Sequence, residues 1–312
     1  MIKPNPATTS THASTPWGNA WRRFLTHRLA LVCLIFLGAV ALACVFGPLF
    51  SSYAFADQNL VLGPTPPSAA HWLGTDVLGR DELARLLVGG RVSLSVGLLA
   101  TSIVLIIGVS YGMVAGYAGG RLDRLMMRIV DILYALPFTV FIILLMVLVN
   151  EPVQTALTKM GHANWAPKVQ LGLLLLAIGA FEWLNMARVI RARTLELKSL
   201  AFVEAARALG RRPGKILWLH LLPNLAGLIV VYATLCIPSV ILLESFISFL
   251  GLGVQAPLTS WGDLIKQGAD NMEEYPWLLL YPSILFSLTL FALNFVGDGL
   301  RDALDPRADK AR

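Results

Sequence analysis

Charged residues vanish from this chain over long stretches. None occurs from Leu29 to Ala56, from Val92 to Gly120, from Ile132 to Asn150 or from Tyr275 to Gly297. An α-helix needs about 20 residues to cross roughly 30 Å of hydrocarbon, so each gap reaches or approaches a membrane span. Two further apolar runs hold one acid each: Val169 to Ala187 contains Glu182, and Ile216 to Gly262 contains Glu244. The second run is too long for one crossing, which places a helix over 225–250 and a turn at Gly251-Leu252-Gly253. The pattern predicts six spans, at about 30–50, 92–116, 129–149, 169–188, 225–250 and 278–297.

The fold class is therefore all-α and integral to a membrane. The divisions are a tail over 1–28, a first transmembrane helix within 29–56, an external segment over 57–90 and a membrane domain over 91–301. That domain carries a large loop at 190–224, and a second tail follows over 302–312. Met1–Gly18 is polar and rich in Thr, Ser and Pro, and reads as disordered. The first apolar run ends in Gly47-Pro48-Leu49-Phe50, which is no small-residue cleavage site, so it reads as a retained span.

Composition agrees. Charged residues make up 14% of the 312, against about 25% in soluble domains. Orientation follows from the basic residues. Alternating spans put 19 of the 25 Lys and Arg on the side of both termini and six on the other. The positive-inside bias makes the richer side cytoplasmic. The net charge of +6 then reports topology and anionic lipid. Nucleic-acid binding is disfavoured, because the cations are spread over loops without an aromatic platform.

Gly108, Gly112, Gly116 and Gly120 repeat every fourth residue, which lets another backbone approach closely. Acids at depth are costly and face a cavity, a partner or a polar neighbour. Asp131 lies one turn from Arg128, so local pairing is expected. Glu182 lies six residues before Arg188, toward the interface. Glu244 reads as the deepest, and could either line a pathway or bond to a partner subunit. Pro238 should kink the fifth span.

Catalytic patterns are missing. Gly214-Lys215 is followed by Ile216, so no phosphate-binding loop forms there. Gly251-Leu252-Gly253-Val254-Gln255-Ala256 matches a loose dinucleotide pattern but lacks the strand–turn–helix context. Cys33, Cys44 and Cys236 lie inside spans without metal-ligand spacing. No active site and no bound cofactor are expected, so energy for active transport must come from elsewhere.

The loop at 190–224 is rich in helix formers from Arg191 to Leu209. Gly210 is a natural helix stop and Pro213 suits the first turn of a second short helix, ending near Pro223-Asn224. This predicts a helix–turn–helix outside the membrane. Small Ala205, Ala206 and Ala208 permit close docking, and Arg207, Arg211 and Arg212 can meet acidic groups on a partner.

Glu204-Ala205-Ala206, then Gly210, then Leu222-Pro223 resembles the E-A-A…G…L-P loop of ABC importer permeases. His220 in His220-Leu221-Leu222-Pro223-Asn224 resembles the peptide-transport branch of that family. The stretches His71–Asp81, Ser248–Pro257 with Ser260-Trp261-Gly262, and Gly297–Pro306 are similar to those of the dipeptide/oligopeptide/nickel permeases, and Val231–Thr234 through Trp277–Leu280 to the oligopeptide branch. The resemblance runs from about Trp21 to Arg307; only the external loop 150–168 matches no motif of the family.

It implies a type I ABC importer permease in a bacterial inner membrane, with both termini cytoplasmic. The loop would form coupling helices seated in an ATPase cleft, Glu204, Ala205, Ala206 and Gly210 shaping the docking turn. The implied partners are a homologous second permease, two ATP-binding subunits that use ATP and Mg, and a periplasmic peptide-binding protein, with peptide as the substrate. Dipeptides, nickel or another small solute are alternatives within the family. Outside it stand an ion-coupled secondary transporter, which would need ionisable groups at depth, a membrane-embedded enzyme, and a non-transporting scaffold.

Overall fold

The structure is a computed structural model and describes residues 16–304. All regular elements among these residues are helical. Six helices are long and apolar enough to cross a membrane: Arg28–Phe50, Glu82–Ala118, Phe138–Lys159, Ala166–Leu197, Pro213–Phe249 and Trp277–Leu304. In chain order, α1 is Pro16–Thr26, α2 Arg28–Phe50, α3 Glu82–Ala118, α4 Gly120–Tyr134, α5 Phe138–Lys159, α6 Ala166–Leu197 and α7 Ala201–Ala208. A short α8, Pro213–Ile216, passes through a π turn at Leu217–Leu221 into α9, Leu222–Phe249. Then come α10, Trp261–Asp270, and α11, Trp277–Leu304. Alternation of the spans puts Arg28, Gly119, the loop after Leu197 and Leu304 on one side, termed here the basic side.

Several boundaries move. Most of the polar tail expected over 1–28 lies outside the described residues, as does 305–312, but residues 16–26 form α1. Its Phe24 is buried with Ala30 and Cys33 of α2 and with Ala292, Val296 and Ala303 of α11. The span expected at 129–149 is two helices, because α4 ends at Tyr134 and α5 begins at Phe138. Pro137 stands between them; it lacks an N–H and disfavours helical backbone at Leu136. Amphipathic α4 thus carries the charges Arg121 to Asp131 outside the apolar α5. The other helices outrun their charge gaps at one or both ends, since a helix can continue into water once its polar side chains reach solvent.

α3 is the central element. Its glycines let neighbouring helices approach at backbone distance. A Cβ on Gly108 would lie 2.7 Å from Met186 Cβ, one on Gly112 2.5 Å from the Ala187 carbonyl, and one on Gly116 2.8 Å from the Arg191 carbonyl. All three contacts are with α6, so the every-fourth-residue series is a packing face. Gly120 is not part of it: it starts α4 at φ +59° with nothing within 4 Å. Toward the other side, Gly97 meets Ile241 of α9 and Gly90 meets Cys44 of α2 and Trp261 of α10. The three cysteines are free and buried. α9 runs through Pro238 as a single helix.

The segment between α2 and α3 is held by two buried carboxylates. Asp76 accepts hydrogen bonds from the backbone N–H of Leu78 (2.9 Å) and Arg80 (2.8 Å), from Arg80 Nε (2.7 Å) and from Arg85 Nη1 (2.6 Å). Arg85 also donates to Gln267 of α10 at 2.8 Å. Asp81 caps α3 through Ala84 N–H at 2.8 Å and bonds His71 Nδ1 at 2.9 Å. A buried charge persists only when paired and hydrogen-bonded in this way.

The glycine face yields the first prediction. Gly112→Leu should destabilise the detergent-solubilised chain by about 2 kcal/mol or more, because the added side chain must enter the α6 backbone. Gly38→Leu, with nothing within 4 Å of its Cβ, should leave the melting temperature nearly unchanged. Equal shifts for the two variants would refute the packing face.

Candidate functional site

The turn between α6 and α9 stands out on the basic side. Leu200 leads into α7, whose Val203 and Ala206 are buried while Glu204, Ala205, Arg207 and Ala208 are exposed. Ala206 therefore packs inward with the core and offers no docking surface; Ala205 and Ala208 face out. Helix α7 closes with Gly210 at φ +71°. The Gly210 N–H bonds the Arg207 carbonyl at 2.9 Å and the Arg211 N–H bonds the Ala206 carbonyl at 3.1 Å. This pair of bonds is the Schellman stop, which needs a residue at positive φ and so favours glycine. Leu209 is 82% exposed at its tip. Arg211, Arg212 and Lys215, which follow it in sequence, are all exposed.

Pro213 opens α8 as expected, but the second helix does not end at Pro223-Asn224. It widens to a π turn at Leu217–Leu221 and continues as α9. Pro223 has no N–H and its ring crowds the carbonyl four residues back. An i→i+5 turn just before it accommodates both without breaking the helix. His220, Leu222 and Pro223 thus belong to the stalk under the turn, away from its tip. His220 Nε2 is buried without a hydrogen-bond partner. Arg207 lies over the Tyr117 ring at 4.9 Å, so its guanidinium already has a partner in α3.

Three contacts that sequence reasoning missed bind this side of the bundle, one holding the start of the turn to α3 and two holding α4 to α6. Lys198 Nζ donates to the Gly116 carbonyl at 2.9 Å. Arg191 donates to both Asp123 oxygens, at 2.5 and 2.7 Å. Arg188 bonds Asp131 at 2.9 Å, so Asp131 pairs across helices rather than with Arg128. The partners lie 57 to 82 residues apart in the chain, and no local pattern announces them. The Arg191 hydrogen bonds hold the Asp123 carboxyl below the usual carboxylate range, against the opposing push of burial.

Glu244 sits five residues from the end of α9, nearer the opposite side than mid-span, and is fully buried. Its partners lie in its own chain. Ser93 Oγ of α3 donates to it at 3.0 Å, Ser245 Oγ at 3.2 Å and Ser248 Oγ at 2.7 Å. Ser93 Oγ in turn accepts from the Trp261 N–H at 3.2 Å, and Ser248 Oγ from Val254 N–H at 3.3 Å. Glu244 therefore fastens α3, α9 and the start of α10 together. It also explains the stretch Ser248 to Gly262, whose serines and close-packed glycines build that junction.

Two predictions follow from these contacts. Glu244→Ala should lower stability by about 3 kcal/mol or more, because it leaves buried hydroxyls unpaired. Glu273→Ala, at an exposed site, should change it little; comparable melting temperatures would remove the fastening role. For Asp123 the depressed folded value fixes the sign. Its stabilisation is present above the unfolded value of about 3.9 and is lost as pH falls through the folded one. Asp123→Asn should melt below the parent at pH 7, with the gap closing below about pH 4. A gap that widens with acid would contradict the tether.

Comparison with known proteins follows the same lines. A family model described as the inner membrane component of binding-protein-dependent transport systems matches residues 108–310. A second, the N-terminal transmembrane domain of oligopeptide transport permease C, matches residues 15–67. The chain is 41% identical to the oligopeptide transport system permease protein OppC of Bacillus subtilis, over 94% of this chain and 90% of that one. Identity to the Haemophilus influenzae OppC is 43%, over 93% and 88%. Identity to the dipeptide transport system permease protein DppC of Bacillus subtilis is 42%, over 93% and 85%. Among solved structures, the inward-facing MetNI methionine ABC transporter is similar in fold, with a TM-score of 0.52 at 21% identity over 71% of this chain and 96% of that one.

Proposed function

The chain belongs to the family of binding-protein-dependent transport inner membrane components, and on that premise we propose that it conducts oligopeptides through a bacterial inner membrane under power from separate ATPases. It is a multi-pass ABC importer permease subunit. Oligopeptide as substrate is supported by high identity to OppC chains across nearly the whole length. A dipeptide is the second reading, favoured by the equal identity to DppC.

In this proposal the basic side is cytoplasmic, with both termini there, as the excess of Lys and Arg favours. A second, homologous permease completes the pathway, and an external peptide-binding protein delivers substrate. Two ATP-binding subunits supply ATP and Mg chemistry, one of them docking at the α7–Gly210–α8 turn, while this chain binds no nucleotide itself. The observation that carries the coupling role is that turn. It is exposed at Glu204, Ala205, Ala208 and Leu209, shaped by Gly210, and tied to α3 by Lys198 and Arg207. A displacement of α7 therefore reaches α6 and α3 through hydrogen bonds and backbone packing, as a rigid-body shift of stiff helices.

The test is reconstitution with the partner subunits. ATP-dependent uptake of oligopeptide is expected, insensitive to dissipated ion gradients; uptake that collapses with the gradient and survives without ATPases would favour an ion-coupled carrier. Gly210→Pro imposes φ near −65° where +71° is required. It and Glu204→Lys should abolish substrate-stimulated ATP hydrolysis while the chain still inserts. Normal stimulation in both would remove the coupling role.

A further inference from the structure

Of the three acids expected at depth, Asp131 pairs with Arg188 and Glu244 with its serines. Glu182 alone has no hydrogen bond or ion pair among the described residues, and it is only half-buried. It lies near the middle of α6, six residues or about 9 Å along the axis from Arg188. Tyr232 and Cys236 of α9 are within electrostatic reach of it, while the Tyr134 ring is already covered by the Arg188 guanidinium at 4.3 Å. A carboxylate at this depth is costly against lipid and needs a polar partner that the chain does not supply. An unpaired carboxylate at such a site favours a cation through its charge.

We propose that Glu182, between α6 and α9, is a subsite of the translocation pathway that receives a cationic group of the passing substrate, such as a peptide's α-ammonium. The inference rests on the permease reading above. It gives α6 and α9 a pathway-facing seam.

The test uses the assembled complex in proteoliposomes, with Cys33, Cys44 and Cys236 replaced by Ala. Glu182→Cys should react with a water-soluble cationic methanethiosulfonate, and a transported peptide should slow that reaction. In the otherwise unaltered chain, Glu182→Gln should lower uptake of peptides with a free amino terminus about tenfold, the scale of losing one charged hydrogen-bond partner. Glu182→Asp should restore part of it. The proposal falls if the introduced thiol is inert, or if the Gln variant transports normally. It also falls if either variant fails to co-purify with the second permease, which would make Glu182 a subunit contact. Peptide uptake by the parent complex is the separate check: its absence would sink the peptide reading, whatever Glu182 does.

Discussion

Helices α3 and α6 touch backbone to backbone, and the rest of the bundle is arranged around that contact. Side chains are missing at Gly108, Gly112 and Gly116, so α6 carbonyls sit where methyl groups would otherwise stand. In lipid there is no hydrophobic drive between helices, and association rests on close packing and on polar groups that find each other. The glycine face supplies the first. At its basic end the second begins: the Gly116 carbonyl accepts from Lys198, and Arg191, about two turns before Lys198, clamps Asp123. The interface that sets the bundle thus also positions the exposed turn.

The two ends of α3 are built differently. At the basic end a thin set of tethers carries a small helix with an exposed apolar tip, Leu209, followed in sequence by the exposed Arg211, Arg212 and Lys215. At the opposite end α3 is sealed beneath the external segment and α10, by Asp76, Arg85 and Gln267 on one flank and by Ser93, Glu244 and Trp261 on the other. Trp261 is fully buried and donates through Nε1 to the Leu86 carbonyl at 3.1 Å. A firm cap at one end and a lightly tethered turn at the basic end suit a helix bundle that is moved from one end.

Much of this was legible in the sequence, because lipid imposes a simple rule on composition. Charge gaps gave six spans, and the glycine series gave a packing face. Gly210 gave the helix stop through its backbone freedom. What stayed hidden depended on long-range contact. The break at Pro137 was masked because the apolar run continues through it. The π turn before Pro223 was missed because a proline inside an apparent loop reads as a terminus. Ala206 looked like a docking residue until its helix face was known. Glu244 read equally as a pathway acid or a partner contact, because Ser93 lies 151 residues away. Of the three acids read as lying at depth, Glu182 alone lacks a hydrogen bond or ion pair among the described residues.

The central claim is that the α7–Gly210–α8 turn meets the ATPase subunits on the cytoplasmic side. Cysteine cross-linking in the assembled complex tests it most directly, with one cysteine at Ala205 and, separately, one at the fully exposed Val61 of the external segment. The account predicts a cross-link from position 205 to an ATP-binding subunit, altered in yield by ATP, and none from position 61. A cross-link to that subunit from position 61, or its absence at 205 in a complex that hydrolyses ATP on substrate, would contradict it.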